Sequence, residues 1–261
     1  WRARRQPEYL DHLGERYGFY PTRPAGLLLW LHVVSVGETR AAEPLIKALL
    51  DTYPAHTLLL THMTPTGRAT GDELITKFGP RLQQAYLPYD LPDAGQRFFD
   101  HFKPCIGLLM ETELWPNLIH IARQRNIPMA LINARLSARS QRGYQRFAAL
   151  IRPALAALHA VAAQTPADAE RLASIGARQV NVFGNIKFDV TPAPDKLKLG
   201  LAWRQALGHR PVWLAASSRE GEEILILEAF ARLKRPDVLL LIVPRHPQRF
   251  PEVATLVAER K

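Results

Sequence analysis

The chain has 261 residues, of which 47% are hydrophobic and 22% charged, so it has enough apolar material for one large domain or two small ones. Its 34 Lys and Arg residues against 24 Asp and Glu residues favour an anionic partner, such as a nucleic acid, a phospholipid or a phosphorylated substrate. The single cysteine excludes a disulfide within the chain, and no apolar run is long enough to span a bilayer.

Short apolar runs alternate with amphipathic segments through the first two thirds of the chain. The runs predict strands at Leu27–Ser35, Thr57–His62, Ala85–Pro88, Cys105–Met110, Met129–Asn133, Val161–Gln164 and Val180–Phe183. The segments between them predict helices that include Arg40–Leu50, Ala94–Phe102, Leu118–Arg125 and Ala167–Ile175. Such alternation is typical of right-handed βαβ units, so we predict an α/β fold with a mostly parallel sheet.

The pattern changes at Asn185–Asp195, which holds two prolines and little periodicity, as a linker does. We therefore predict two domains, residues 1–188 and 189–261. The second domain repeats the alternation, with predicted elements at Lys196–Leu207, Val212–Ala216, Glu222–Leu233 and Val238–Val243. Two strands alone do not make a stable sheet, so either this domain is truncated or its strands pack against the first domain.

Polar, glycine-rich or proline-rich segments follow six of the predicted strands. In open α/β sheets, ligands bind beyond the carboxyl ends of the strands, and a sheet built only for stability needs no such segments. They are Ser35–Glu38, Thr61–Gly67, Glu111–Asn117, Asn133–Arg135, Ser217–Glu220 and Pro244–Pro247. We therefore expect a binding or catalytic site along this edge.

Three carboxylates stand out at these strand ends. Ser35 and Glu38 match a Ser-x-x-Glu capping box, but a sharp turn at Gly37 would instead leave Glu38 exposed as a base for a hydroxyl group. Glu111 and Glu113 end a very apolar strand, and carboxylates so close to a core need a partner or a task.

Other strand ends suit anions. Thr64 and Thr66 begin a predicted capped helix whose free amide groups can also hold an anion. Ser217 and Glu220 make a second Ser-x-x-Glu capping box, and the helix start that they would cap suits phosphate. Between two prolines, Arg245 and His246 form a stiff cationic corner suited to phosphate.

The first domain contains an arginine-rich stretch. From residue 114 to residue 167 there are seven arginines and no acidic residue. Of these, Arg139, Arg142 and Arg146 have the spacing of one helix face, which indicates an anion-facing surface, with Arg135 just before it. The nine histidines show no metal-ligand spacing, and the chain has neither a P-loop nor a GxGxxG motif.

Seven of these segments together resemble one family, the 3-deoxy-D-manno-octulosonic acid (Kdo) transferases. The matching segments, in family order, are SVGE (35–38), TPTG (64–67), YLPYDLP (86–92), METELWPN (110–117), NARLS (133–137), GNIKFD (184–189) and PRHP (244–247). The resemblance implies a GT-B fold, in which two Rossmann-like domains flank the active site. The first would face the acceptor and the second, truncated here, would bind the nucleotide-sugar donor.

The same resemblance implies a reaction and its partners. The donor is CMP-Kdo and the acceptor is a lipid A precursor, lipid IVA, in lipopolysaccharide biosynthesis of Gram-negative bacteria. The enzyme works at the cytoplasmic face of the inner membrane, against an anionic membrane surface, with no cofactor, metal or nucleic acid. Glu38 would be the general base, Glu111 and Lys187 would stabilise the transition state, and Arg245 and His246 would hold CMP.

The remaining candidates take positions beside these residues. Ser217 and Ser218 are candidates for donor binding, while Thr64, Thr66, Glu113, Arg135 and Arg139 are candidates for acceptor or anion binding. The first five residues resemble the basic stretch after the family's anchor helix, and the family continues beyond residue 261, so we expect a fragment that is inactive alone. The alternatives are a GT-B transferase for another nucleotide sugar and a basic module that binds nucleic acid or anionic lipid.

Overall fold

The computed structural model describes residues 6–189 and 194–260. The chain divides into two units, Trp1–Val190 and Thr191–Lys261, two residues beyond the boundary predicted from the sequence. The basic start at 1–5 and the central part of the predicted linker, 190–193, lie outside the described residues.

All strands of the first unit run parallel in one sheet. Its order is β3-β2-β1-β4-β5-β6-β7. The strands are β1 Leu27–His32, β2 His56–His62, β3 Leu82–Tyr86, β4 Ile106–Met110, β5 Met129–Ala134, β6 Ala160–Ala163 and β7 Val180–Val182. The predicted parallel α/β fold is confirmed. The order reverses between β1 and β4, which makes a crevice at their carboxyl ends the expected ligand site.

Helices cover both faces of this sheet. They are α1 Val36–Ala41, α2 Glu43–Thr52, α3 Pro65–Phe78, α4 Pro92–Phe102, α5 Pro116–Gln124, α6 Ala138–Arg146, α7 Ala148–Ala157 and α8 Pro166–Ser174. Four begin with proline at the first position, where the missing N–H has no helical partner to lose. Two buried apolar clusters result, one of which contains Trp30 and Phe98 and the other Leu31 and Ile46.

The second unit, where residues 194–260 are described, has a sheet of two strands there. Its elements are α9 Pro194–Leu207, β8 Val212–Ser218, α10 Glu222–Leu233, β9 Leu239–Pro244 and α11 Phe250–Ala258. In the described part of the chain, β8 and β9 pair in parallel only with each other and do not join the larger sheet. Large apolar side chains on both strands, such as Leu214 and Leu241, are exposed. Among the described helices, none is long and apolar enough to cross a bilayer.

Candidate active site

Glu38 lies in the first turn of α1, directly beyond the carboxyl end of β1. Its Oε2 accepts a hydrogen bond from the backbone N–H of Val34 at 2.7 Å, and its Oε1 accepts one from Ser35 Oγ at 3.0 Å. Ser35 is the N-cap residue, but its side chain caps no backbone N–H, so the predicted reciprocal capping box is wrong. The predicted sharp turn at Gly37 is also wrong, because this residue continues the helix without a positive φ.

The environment of Glu38 suits a proton acceptor. Burial raises the pKa of Glu38, while the hydrogen bonds from Val34 and Ser35 oppose that rise. The charge of Glu111 raises the pKa further and that of Arg135 lowers it, so both groups act on the same carboxylate. A carboxylate whose pKa is raised takes a proton more readily than an exposed one.

Glu111 follows β4 and carries a cation on each carboxylate oxygen. Its backbone has a left-handed φ of 64°, and its side chain is turned into the protein, with the residue only 6% exposed. Arg135 donates from Nη2 and Nε to Oε2, at 2.9 and 3.1 Å, and Lys187 Nζ lies 3.5 Å from Oε1. The structure therefore brings together Glu111 and Lys187, the two residues for which the family resemblance implies transition-state stabilisation.

A chain of amide side chains holds the Lys187 segment against the sheet. Asn133, at the end of β5, accepts from the backbone N–H of Ile186 through Oδ1 at 3.1 Å. Gln164 donates to the Asn133 carbonyl oxygen at 2.9 Å and accepts from Asn185 at 3.1 Å. Asn185 Oδ1 in turn accepts from the Lys187 N–H at 3.0 Å. The NARLS and GNIKFD segments thus form one unit that presents Lys187 to Glu111.

Glu113 lies in the loop between β4 and α5 and differs from its two neighbours. It is half-buried, and none of the ion pairs among the described residues involves its carboxylate. Burial raises the pKa of Glu113 to about 7, the charges of Glu38 and Glu111 add to the rise, and the Trp115 side chain opposes it. At neutral pH this group therefore exists in both protonation states.

The two threonines of the TPTG segment have separate surroundings. Thr64 caps α3, since its Oγ1 accepts from the Gly67 N–H at 3.1 Å and donates to the Val34 carbonyl oxygen at 2.9 Å. A Cβ on Gly67 would lie 2.9 Å from both oxygens, so only glycine fits there. Thr64 thereby supports the segment that holds Glu38, whereas Thr66 is exposed.

The arginine face occupies α6, as predicted. Arg139, Arg142 and Arg146 are all exposed, and none forms an ion pair with another described residue. Phe147 and Leu150, which follow on α7 and its N-terminal junction, are also exposed. The surface thus combines three free cations with two large apolar side chains.

The second unit has its own polar edge, at the carboxyl ends of β8 and β9. Arg245 and His246 are exposed there, and so is Ser217, which has a left-handed φ of 62°. Ser218 is 3% exposed, and its hydroxyl donates to Glu223. The predicted capping box of Ser217 and Glu220 is wrong, because α10 begins only at Glu222 with a glycine before it.

Sequence reasoning missed polar residues that hold these segments. Asp90 accepts from the N–H groups of Asn117 and Leu118, at 3.1 and 3.0 Å, and so caps α5 beside the Glu113 loop. Buried Glu223 forms an ion pair with partly exposed Arg249 in the second unit. Neither carboxylate matches a local pattern, since their partners lie about 26 to 28 residues away in the chain.

Among residues 6–189 and 194–260, no three His, Cys, Asp or Glu side chains are grouped so that they could hold a metal ion.

Most of the chain matches proteins of one known family. Residues 11–190 match the family model described as 3-Deoxy-D-manno-octulosonic-acid transferase (kdotransferase). A 3-deoxy-D-manno-octulosonic acid transferase of Bordetella pertussis is 47% identical over 92% of the chain, and one of Haemophilus influenzae is 40% identical over 98%. The chain spans 57% and 61% of the lengths of these two relatives.

Solved structures agree on the fold. A UDP-GlcNAc 2-epimerase from Neisseria meningitidis bound to UDP-GlcNAc has a TM-score of 0.59 and 18% identity, over 92% of this chain and 69% of its own. A glycosyltransferase from Rickettsia africae has a TM-score of 0.57 and 14% identity, over 91% and 66%. At such identities the likeness shows the fold alone, which is GT-B.

Proposed function

Because the chain belongs to the 3-deoxy-D-manno-octulosonic acid transferase family, we propose that the protein transfers Kdo from CMP-Kdo to a hydroxyl group of lipid IVA, as an inverting glycosyltransferase of lipopolysaccharide biosynthesis. The observation that carries the proposal is the pair of carboxylates at the reversal of strand order. Glu38 follows β1 and Glu111 follows β4, and Glu111 is flanked by Arg135 and Lys187.

Glu38 acts as the general base in this proposal. It takes the proton of the acceptor hydroxyl, whose oxygen forms a bond to the anomeric carbon of Kdo. The bond from that carbon to the phosphate oxygen breaks, and CMP leaves with the bonding electron pair. Attack on the face opposite the leaving group inverts the anomeric centre. The raised pKa of Glu38 brings its basicity closer to that required at neutral pH.

Glu111 and Lys187 stabilise the transition state. The anomeric carbon becomes positively charged as the bond to phosphate breaks, and a fixed carboxylate such as Glu111 stabilises that charge. Lys187 and Arg135 hold the carboxylate in one orientation, so it need not reorganise during the reaction.

Exposed cations of the second unit are proposed to bind the leaving CMP. Arg245 and His246 follow β9 and are free to contact phosphate, with Ser217 at the adjacent end of β8. The buried hydroxyl of Ser218 already bonds to Glu223, so we assign Ser218 a supporting part in this site. Since side-chain cations offset the phosphate charge, the reaction is proposed to need no metal, and transfer should persist in EDTA.

We propose that the first unit binds the acceptor and contacts the membrane surface. Thr64, Thr66, Glu113 and Arg139 are the proposed acceptor contacts. The face of Arg139, Arg142 and Arg146, together with exposed Phe147, suits the phosphates of the acceptor and an anionic bilayer surface. We therefore propose that the protein acts at the cytoplasmic face of the inner membrane.

A second candidate is a GT-B transferase that uses another nucleotide sugar. Its support is the shared fold alone, because a structural neighbour with this fold, from Neisseria meningitidis, is bound to UDP-GlcNAc. Calorimetric titration of the full-length protein with CMP, UDP and GDP separates the two. We expect binding of CMP alone, weakened about tenfold or more in Arg245→Ala, because that change removes a phosphate donor.

The matched control for this titration is Arg235→Ala. Arg235 is also an exposed arginine of the second unit, but it pairs with Asp237 rather than following a strand end. Preferential binding of UDP or GDP would support the second candidate. Absence of CMP binding, combined with steep salt-dependent binding to DNA, would favour a nucleic-acid-binding module instead.

A further inference from the structure

The second unit contains a buried carboxylate that takes no part in the proposed reaction. Glu223, in the first turn of α10, is 1% exposed. Its Oε1 accepts hydrogen bonds from Ser218 Oγ at 2.7 Å and from Arg249 Nη1 at 2.9 Å. Its Oε2 accepts from Arg249 Nη2 at 3.2 Å. The guanidinium thus meets the carboxylate through two parallel bonds, the geometry that fixes both side chains.

These bonds join the two segments that end β8 and β9. Ser218 is the last residue of β8, and its carbonyl oxygen accepts from the Arg245 N–H at 2.9 Å. Arg249 ends the short helical turn after His246, and its own N–H donates to the His246 carbonyl oxygen at 3.0 Å. Glu223 therefore holds residues on both sides of Arg245 and His246.

Stability alone gives a weak reason for such a pair. Desolvating a carboxylate and a guanidinium costs several kcal/mol, and well-packed apolar residues often replace a buried ion pair without loss. Burial alone would raise the pKa of Glu223, but the hydrogen bonds from Arg249 and Ser218 hold it below its usual range. The carboxylate thus stays charged and keeps both partners in place.

We propose that Glu223 is a positioning residue, which fixes the Arg245–His246 corner against the Ser217–Ser218 end of β8 and so preorganises a phosphate-binding edge. The role of that edge in binding the donor rests on the proposed function. Glu223 itself is too deeply buried to contact a ligand. Its effect on binding passes through the backbone of residue 245, which bonds to Ser218, and through Arg249.

Hydrogen exchange of the Arg245 amide tests the positioning without any ligand. We compare the full-length protein with Glu223→Gln and with a matched control, Glu252→Gln, because exposed Glu252 bonds to the same arginine. We expect exchange at Arg245 to accelerate about tenfold or more in Glu223→Gln and to stay unchanged in the control. Unchanged exchange in both variants overturns the proposal.

CMP affinity tests the consequence for binding. We expect the dissociation constant to rise about tenfold or more in Glu223→Gln, and Arg249→Lys to behave alike because lysine cannot form two parallel bonds. The control for general destabilisation is Phe230→Leu, which loosens packing on Trp213 near the opposite end of β8. If that variant weakens CMP binding as much at equal melting temperature, Glu223 acts only through stability and the proposal fails.

Two further outcomes are distinguishable. If Glu223→Gln does not fold, Ser218→Ala removes a single hydrogen bond to the same carboxylate, and its Arg245 exchange must accelerate in a folded protein for the proposal to stand. If the wild-type protein binds no CMP, the proposed function fails, while the exchange of Arg245 still decides whether Glu223 positions the corner.

Discussion

The polar edges of the two units are built in opposite ways. At the edge of the first unit, Glu38 and Glu111 are held by hydrogen bonds and cations from several segments. At the edge of the second unit, Arg245 and His246 point to solvent, and one buried carboxylate, Glu223, ties down their loop. A carboxylate near a core needs partners in order to stay charged, whereas an exposed cation needs only a fixed backbone. The two edges should therefore respond differently to substitution.

The largest expected effect is at Glu38. Glu38→Gln should lower the rate of Kdo transfer by a factor on the order of hundreds or more, since the amide cannot accept the proton. Ser35→Ala, which removes one hydrogen bond but keeps the carboxylate, should cost less than about tenfold. Steady-state transfer rates of folded variants measure both. Equal losses would mean that Glu38 acts as a helix-terminal structural group.

The second largest effect on the transfer rate is expected from the two cations that pair with Glu111. Lys187→Ala should slow transfer by roughly tens of fold, because the carboxylate loses the cation on its Oε1. Combined with Arg135→Ala, the losses should not add, since both cations act on one carboxylate. A double-mutant cycle in kcat measures this coupling, with Lys47→Ala, an exposed pair with Asp51, as the control. Simple additivity would contradict the shared role.

Two glycines beside Glu38 sharpen the comparison in terms of stability. Gly67→Ala should lower the free energy of unfolding by about 1–3 kcal/mol, because its Cβ would crowd Thr64 Oγ1 and the Val34 carbonyl oxygen. Gly37→Ala should cost nothing and stabilise the helix by up to about 1 kcal/mol, because its Cβ meets only Ser35 Oγ, at 4.0 Å. Urea denaturation distinguishes them, and equal losses would refute this packing.

The smallest effect concerns Glu113 and depends on pH. Since burial raises the pKa of Glu113 from its ordinary 4.5 to about 7, the charged form destabilises the native state. Glu113→Gln should therefore be more stable than wild type at pH 8, with an advantage that shrinks below pH 7 and vanishes near 4.5. The free energy of unfolding across this range measures it. Glu73→Gln, at an exposed pair with Arg40, should show no such trend.

Much of the fold follows from local patterns, and the exceptions have physical causes. Apolar runs predicted the positions of the parallel strands. The prediction for β3 started three residues too late, because Gln83 and Gln84 interrupt the apolar run at the beginning of that strand. The helix predicted at Arg40–Leu50 is two helices, since Pro44 lacks the N–H that a continuous helix would need.

The candidate site was likewise predictable from the sequence only in part. The carboxylates could be found from the sequence because charged residues at the ends of apolar strands are unusual. What holds them could not, because Glu38 bonds to Val34 and Ser35 in a way that its capping-box pattern does not predict. Glu223 escaped notice because its partner, Arg249, comes 26 residues later. Such pairings appear only once the strands are placed side by side.

The most direct test is transfer of Kdo itself. The full-length protein is incubated with lipid IVA and either CMP-Kdo or, in a parallel reaction, UDP-GlcNAc as donor. The mass of the lipid product is then measured by mass spectrometry. We predict that the lipid gains Kdo from CMP-Kdo and nothing from UDP-GlcNAc. A lipid that stays unmodified with CMP-Kdo, under conditions in which a Kdo transferase of known activity modifies it, would contradict the account.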